Sequence, residues 1–167
     1  MKKTLLVLAA IMIAAVVSAN ALTPAQISTI DDTISGAKLR NVSSVATEMV
    51  EKSAAADRKD IAVQIVRSVK SYKAGALVQT VAAISKENPE LAPDVAAAAA
   101  SLSNSQAVKI AKVASAAAPA YANQIAKQVS TVAPKYSKVI LAATATVEIA
   151  KDISGAEVTA PVEISDM

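Results

Sequence analysis

The feature that most limits what this chain can fold into is a proline-marked restart every fifteen residues. Ala118-Pro119-Ala120-Tyr121 returns as Ala133-Pro134-Lys135-Tyr136, and stepping back by the same interval reaches Asn104, Pro89, Ala74, Lys59 and Ser44. Each step falls beside a turn or cap signal, among them Ser43-Ser44, Asp57-Arg58-Lys59-Asp60, Ala74-Gly75, Asn88-Pro89 and Ser103-Asn104. With the proline as position 1, position 7 reads Val50, Ile65, Thr80, Val95, Ile110, Ile125 and Ile140. Position 11 reads Ala54, Val69, Ile84, Ala99, Ala114, Val129 and Thr144. Spacings of four predict a helix whose apolar face carries positions 3, 7, 11 and 14.

Proline inside a helix removes a hydrogen bond and clashes with the preceding turn, at about 3 kcal/mol. At the first helical position the missing N–H has no partner to lose. Pro89, Pro119 and Pro134 therefore mark helix starts, with Asn88 and Ser103 or Asn104 as expected N-caps. Pro93 requires its helix to begin late or to kink. A fifteen-residue unit leaves about eleven or twelve residues for helix, a rod roughly 17 Å long. Helices that short are unstable alone and must bury their stripes against neighbours. Connections of three or four residues favour antiparallel neighbours. The expected fold is all-α, an array of short antiparallel helices with a 15-residue unit. Stacked pairs give an α-solenoid, and a closed helical bundle is the alternative.

The array is framed by two different ends. Lys2 and Lys3, the apolar run Leu5 to Val17 and Ser18-Ala19-Asn20-Ala21 follow the order of a cleavable signal peptide, residues 1–21. The run is shorter than the roughly 20 residues a membrane-spanning helix needs. No integral span is expected after cleavage, and the protein is expected in the periplasm or outside the cell. Thr23-Pro24-Ala25-Gln26 is a capping box opening a helix with Ile27, Ile30 and Ile34 on one side, ended by Ser35-Gly36. The helical-repeat domain is expected over residues 22–152. Gly155 and Pro161 then break the period, so residues 153–167 are expected to form an extended or disordered acidic tail.

The repeats from Pro89 onwards, clearest over Ala118 to Ile140, resemble the alanine-rich, proline-punctuated helical repeats of secreted bacterial proteins. The resemblance implies a fold and brings no catalytic motif.

Composition narrows the chemistry. The chain has no histidine and no cysteine, so imidazole or thiolate metal sites, disulfides and Cys or His nucleophiles are excluded. It also lacks a Gly-rich phosphate loop and a nucleophile elbow, having only 3 glycines. No enzyme activity, cofactor or metal site is expected. Without Lys2 and Lys3 the chain carries 15 basic and 14 acidic residues, a net charge of +1, which gives no argument for nucleic acid.

Charge is nonetheless uneven. No acid occurs between Asp94 and Glu148, an interval holding Lys109, Lys112, Lys127, Lys135 and Lys138. Glu148, Asp152, Glu157, Glu163 and Asp166 follow. Those lysines occupy the solvated face of any soluble helix. Together with Tyr121 and Tyr136 they are also the candidate partner-binding residues. Adjacent helices would set the two tyrosine rings at opposite edges, each ring packed and its hydroxyl at the rim. The functional expectation is an exported interaction or structural module. Its partner would be another protein, a second copy, or weakly an anionic envelope surface that the acidic tail could cover. The alternative is a peripheral protein whose stripes lie on a membrane surface.

Overall fold

The computed structural model describes residues 22–145, and the expected signal peptide and acidic tail lie outside them. All regular structure among the described residues is helical. The α-helices are α1 (Pro24–Gly36), α2 (Val42–Lys52), α3 (Arg58–Tyr72), α4 (Leu77–Glu87), α5 (Ala92–Leu102), α6 (Ala107–Ala117) and α7 (Ala122–Val132). A further helix, α8, occupies residues 137–145.

From Lys73 to Val132 each unit is one linking residue, a three-residue 3-10 turn and an eleven-residue α-helix, and the unit from Ala133 begins the same way. The turns are Ala74–Ala76, Pro89–Leu91, Asn104–Gln106, Pro119–Tyr121 and Pro134–Tyr136. The prolines thus begin the 3-10 turn, and the α-helix starts three residues later. Pro93 is accommodated because α5 starts at Ala92, which puts this proline in the first turn.

The linking residue carries the repeat. Lys73, Asn88, Ser103, Ala118 and Ala133 all have φ between −150° and −129° and ψ between 48° and 73°. Three of them precede proline, which disfavours helical backbone in its neighbour. In Ala118 the N–H donates to Ala114 O at 2.8 Å, while its own carbonyl accepts from Tyr121 N at 3.0 Å. Ala133 repeats this with Val129 and Tyr136 at 2.9 and 3.0 Å. With both backbone groups satisfied locally, no side-chain cap is needed. This corrects the capping expected of Asn88, Ser103 and Asn104: none of these turns has a side-chain cap hydrogen bond. Asn88 is instead buried, and its Nδ2 has no partner. The capping box of α1 does form, with Thr23 N donating to Gln26 Oε1 at 2.8 Å and Gln26 N donating to Thr23 Oγ1 at 3.3 Å.

The expected apolar face holds at positions 7 and 11 and is corrected elsewhere. Buried residues also occupy positions 4, 8, 12 and 15, as in Ala107, Ala111, Ser115 and Ala118, while position 3 is buried at Ala76 and Leu91 but not at Gln106. Position 14 is open to solvent at Tyr72, Glu87 and Leu102. The reason is that the α-helix begins at position 4, and 4, 7, 8 and 11 is the spacing of one stripe from that start. Thr80, the polar residue at position 7, is fully buried, with Oγ1 3.5 Å from Ser43 Oγ on α2.

The fifteen-residue register does not extend back to Ser44. Ser43 and Ser44 lie within α2, whose preceding 3-10 turn is Leu39–Asn41, five residues earlier than the interval requires. Residues 53–57 supply the difference, and α3 takes up α-helical form where later units have the 3-10 turn.

Each helix packs against the next and, more extensively, against the next but one. Thus α1, α3, α5 and α7 form one row and α2, α4 and α6 the other, with a continuous core of Ile, Val and Ala between them. Two polar links hold the odd row: Ser68 Oγ donates to Asp31 from α3 to α1, and Lys59 pairs with Asp94 at 3.0 Å from α3 to α5.

Candidate functional site

Because the chain changes row at every unit, the 3-10 turns fall on two edges. The turns at 89–91 and 119–121, which precede odd helices, pack together. Those at 39–41 and 74–76, which precede even helices, also pack together. Asn104 and the 134–136 turn line one groove, which continues the even edge.

Three shallow grooves follow that even edge. The first, about 540 Å³, lies between Lys38, Leu39 and Arg40 on one turn and Gly75, Ala76 and Gln79 on the next. The second, about 360 Å³, runs from Gly75 and Gln79 to Gln106 and Lys109 over Val78 and Val113. The third, about 380 Å³, joins Asn104 to Pro134, Lys135 and Tyr136. Every charged residue lining the three is basic: Lys38, Arg40, Lys109 and Lys135. Their polar remainder is amide, from Gln79, Gln106 and Asn104. Lys135 Nζ sits 5.7 Å from the centre of the Tyr136 ring, within cation–π range.

The structure therefore brings together some of the sequence-predicted residues and separates others. Lys109, Lys135 and Tyr136 share the grooved edge. Tyr121 belongs to the turn on the opposite edge, and both tyrosines are partly buried against the core. Lys112 on α6, Lys127 on α7 and Lys138 on α8 are exposed and line none of the three grooves. Sequence reasoning missed Lys38 and Arg40, whose unit is out of the fifteen-residue register. Gln79, Gln106 and Asn104 were missed too, since single amides on exposed positions give no pattern.

A separate recess of about 490 Å³ lies at the start of the array, with Ala25, Ile30, Met49 and Ile61 among Gln26, Thr29, Thr33, Ser53 and Lys52. Lys52 pairs with Glu48, and this hydrogen bond and charge hold the Glu48 carboxyl below its ordinary range. No group of three acidic side chains placed to hold a metal occurs among the described residues. Nor is any helix among them long and apolar enough to cross a membrane.

No protein-family model, curated protein or solved structure matches the chain.

Proposed function

We propose that this protein is an exported, non-enzymatic binding module: an open α-solenoid of short antiparallel helices whose even edge receives an extended acidic polypeptide. The observation that carries this reading is the line of three grooves whose charged lining residues, Lys38, Arg40, Lys109 and Lys135, are all basic. Lysine and arginine there supply charge, which raises the encounter rate with an anionic chain. Gln79, Gln106 and Asn104 each offer a donor and an acceptor, the pair that an extended backbone presents at every residue. Extensive packing between neighbours and next-but-one neighbours supports the open array over a closed bundle, and four-residue links support antiparallel helices.

The membrane-surface alternative needs apolar stripes free to lie on lipid. Those stripes are consumed between helices, as the full burial of Val81, Val95, Ile110 and Ile125 illustrates.

The test is capture of acidic proteins from the native envelope by the chain beginning at Leu22. Lys109→Glu/Lys135→Glu is expected to lower capture about tenfold, consistent with losing close charge pairs. Lys112→Glu/Lys127→Glu changes net charge equally away from the grooves and should retain capture. Equal losses in both variants would reduce the effect to bulk charge and sink the reading.

A further inference from the structure

The burial pattern distinguishes the two sides of each helix. In α2, near the start of the array, Val42, Ala46 and Val50 (positions 4, 8 and 12 from its own turn) are fully buried, while Val45 and Met49 at 7 and 11 are only half-buried. In α8, at the far end, the order is reversed. Ile140 and Thr144, at 7 and 11, are buried, whereas Leu141 at position 8 is 51% exposed. Positions 7 and 11 therefore face preceding helices, and positions 4, 8 and 12 face those that follow. Position 8 is buried in each of Val66, Val81, Ala96, Ala111 and Ala126. Leu141 is thus the larger side chain at a position that a following element covers everywhere else.

Beside it, Val139 is 55% exposed at position 6, where earlier units carry Gln64, Gln79, Asp94, Lys109 and Gln124. Among the described units, an apolar residue replaces a polar one only here. The opposite end differs, since the outer residues of α1 are Ser28, Thr29, Asp32 and Thr33. That is the polar finish a terminal repeat needs.

We propose that the Leu141–Val139 edge of α8 is the docking site of the chain's own segment 157–164. In that segment Val158, Ala160, Val162 and Ile164 alternate with Glu157, Thr159, Pro161 and Glu163. The alternation gives an extended strand one apolar and one acidic or polar side. The docking edge is bordered by Lys135 and Lys138, both exposed, so acids of the segment meet lysines there. A second copy joined edge to edge would set lysine against lysine. Reach is sufficient: the residues 146–156 can extend about 36 Å, while α8 over 137–145 is about 13 Å long. The docked segment covers on one side what a following helix covers in earlier units; it shares Lys135 with the last groove of the even edge and leaves the two grooves lined by Lys38, Arg40 and Lys109 open.

The absence of native cysteine allows a direct test in the full chain from Leu22. Leu141→Cys is combined in turn with Val158→Cys or Val162→Cys, and in parallel with Thr159→Cys or Glu163→Cys. The first set is expected to form an intramolecular disulfide about tenfold faster than the second, because only one side of the strand meets α8. Equal rates in the two sets would overturn the proposal. So would a disulfide-linked dimer from Leu141→Cys alone, which would assign the edge to a second copy.

Discussion

At the scale of single residues, position 15 shows how little chemistry this fold asks of its links. Asn88, Ser103, Ala118 and Ala133 occupy the same backbone conformation and are all buried. Alanine meets the demand fully, whereas Asn88 leaves Nδ2 unpaired. An unpaired buried polar group costs about 1–3 kcal/mol. Asn88→Ala is therefore expected to raise unfolding stability by about 1 kcal/mol in urea titration. An N-cap would respond oppositely, with a loss of about 1 kcal/mol on the same substitution. The sequence could not show this, because asparagine before proline at a helix start is also the signature of a cap. What distinguishes the two is whether backbone groups are already paired, and that is decided by the path of the chain.

For the helical elements, the period and a helix of eleven or twelve residues were legible, whereas the late start or kink expected of Pro93 is not special to its unit, since α5 begins at the same position as α4, α6 and α7. Proline and turn signals act locally, so they survive translation into structure. The buried face was legible only in part. Alanine at so many positions blurs the contrast between stripe and surface, and the 3-10 turn offsets the stripe by the three residues it occupies. The early register failed for a different reason: Ser43 and Ser44 look like a cap, yet serine is also tolerated inside α2. The constancy of the link conformation leads to a second prediction. Ser103 already adopts the geometry found before Pro119 and Pro134, so Asn104→Pro should stabilise by about 0.4–1 kcal/mol through the unfolded chain. A fall in the urea midpoint would mean that proline sets this geometry and the unit does not.

Across the whole molecule, packing that runs mainly to the next helix and the next but one makes stability close to a sum of local terms. Ile125→Ala removes a fully buried side chain in α7, a change that costs about 2–5 kcal/mol in a core. Amide exchange is expected to accelerate in α6 to α8 while α2 to α4 keep most of their protection. Uniform acceleration would mean that the two rows unfold as one unit. The candidate edge was the least legible part of the molecule, since Lys38, Gly75, Asn104 and Lys135 become neighbours only once alternate units stack.

That alternation governs how such a chain can change length. Each unit carries the backbone from one row to the other, so excising Pro89–Ser103 would move every later turn to the opposite edge. Lys109 and Lys135 would then leave the edge that Lys38 and Arg40 occupy. Excising Pro89–Ala118 deletes a full pair and keeps the remaining turns where they are, though shortened by one groove. If the grooved edge is what the protein uses, the heritable unit is the thirty-residue pair. Single units would be gained or lost freely only if neither edge mattered.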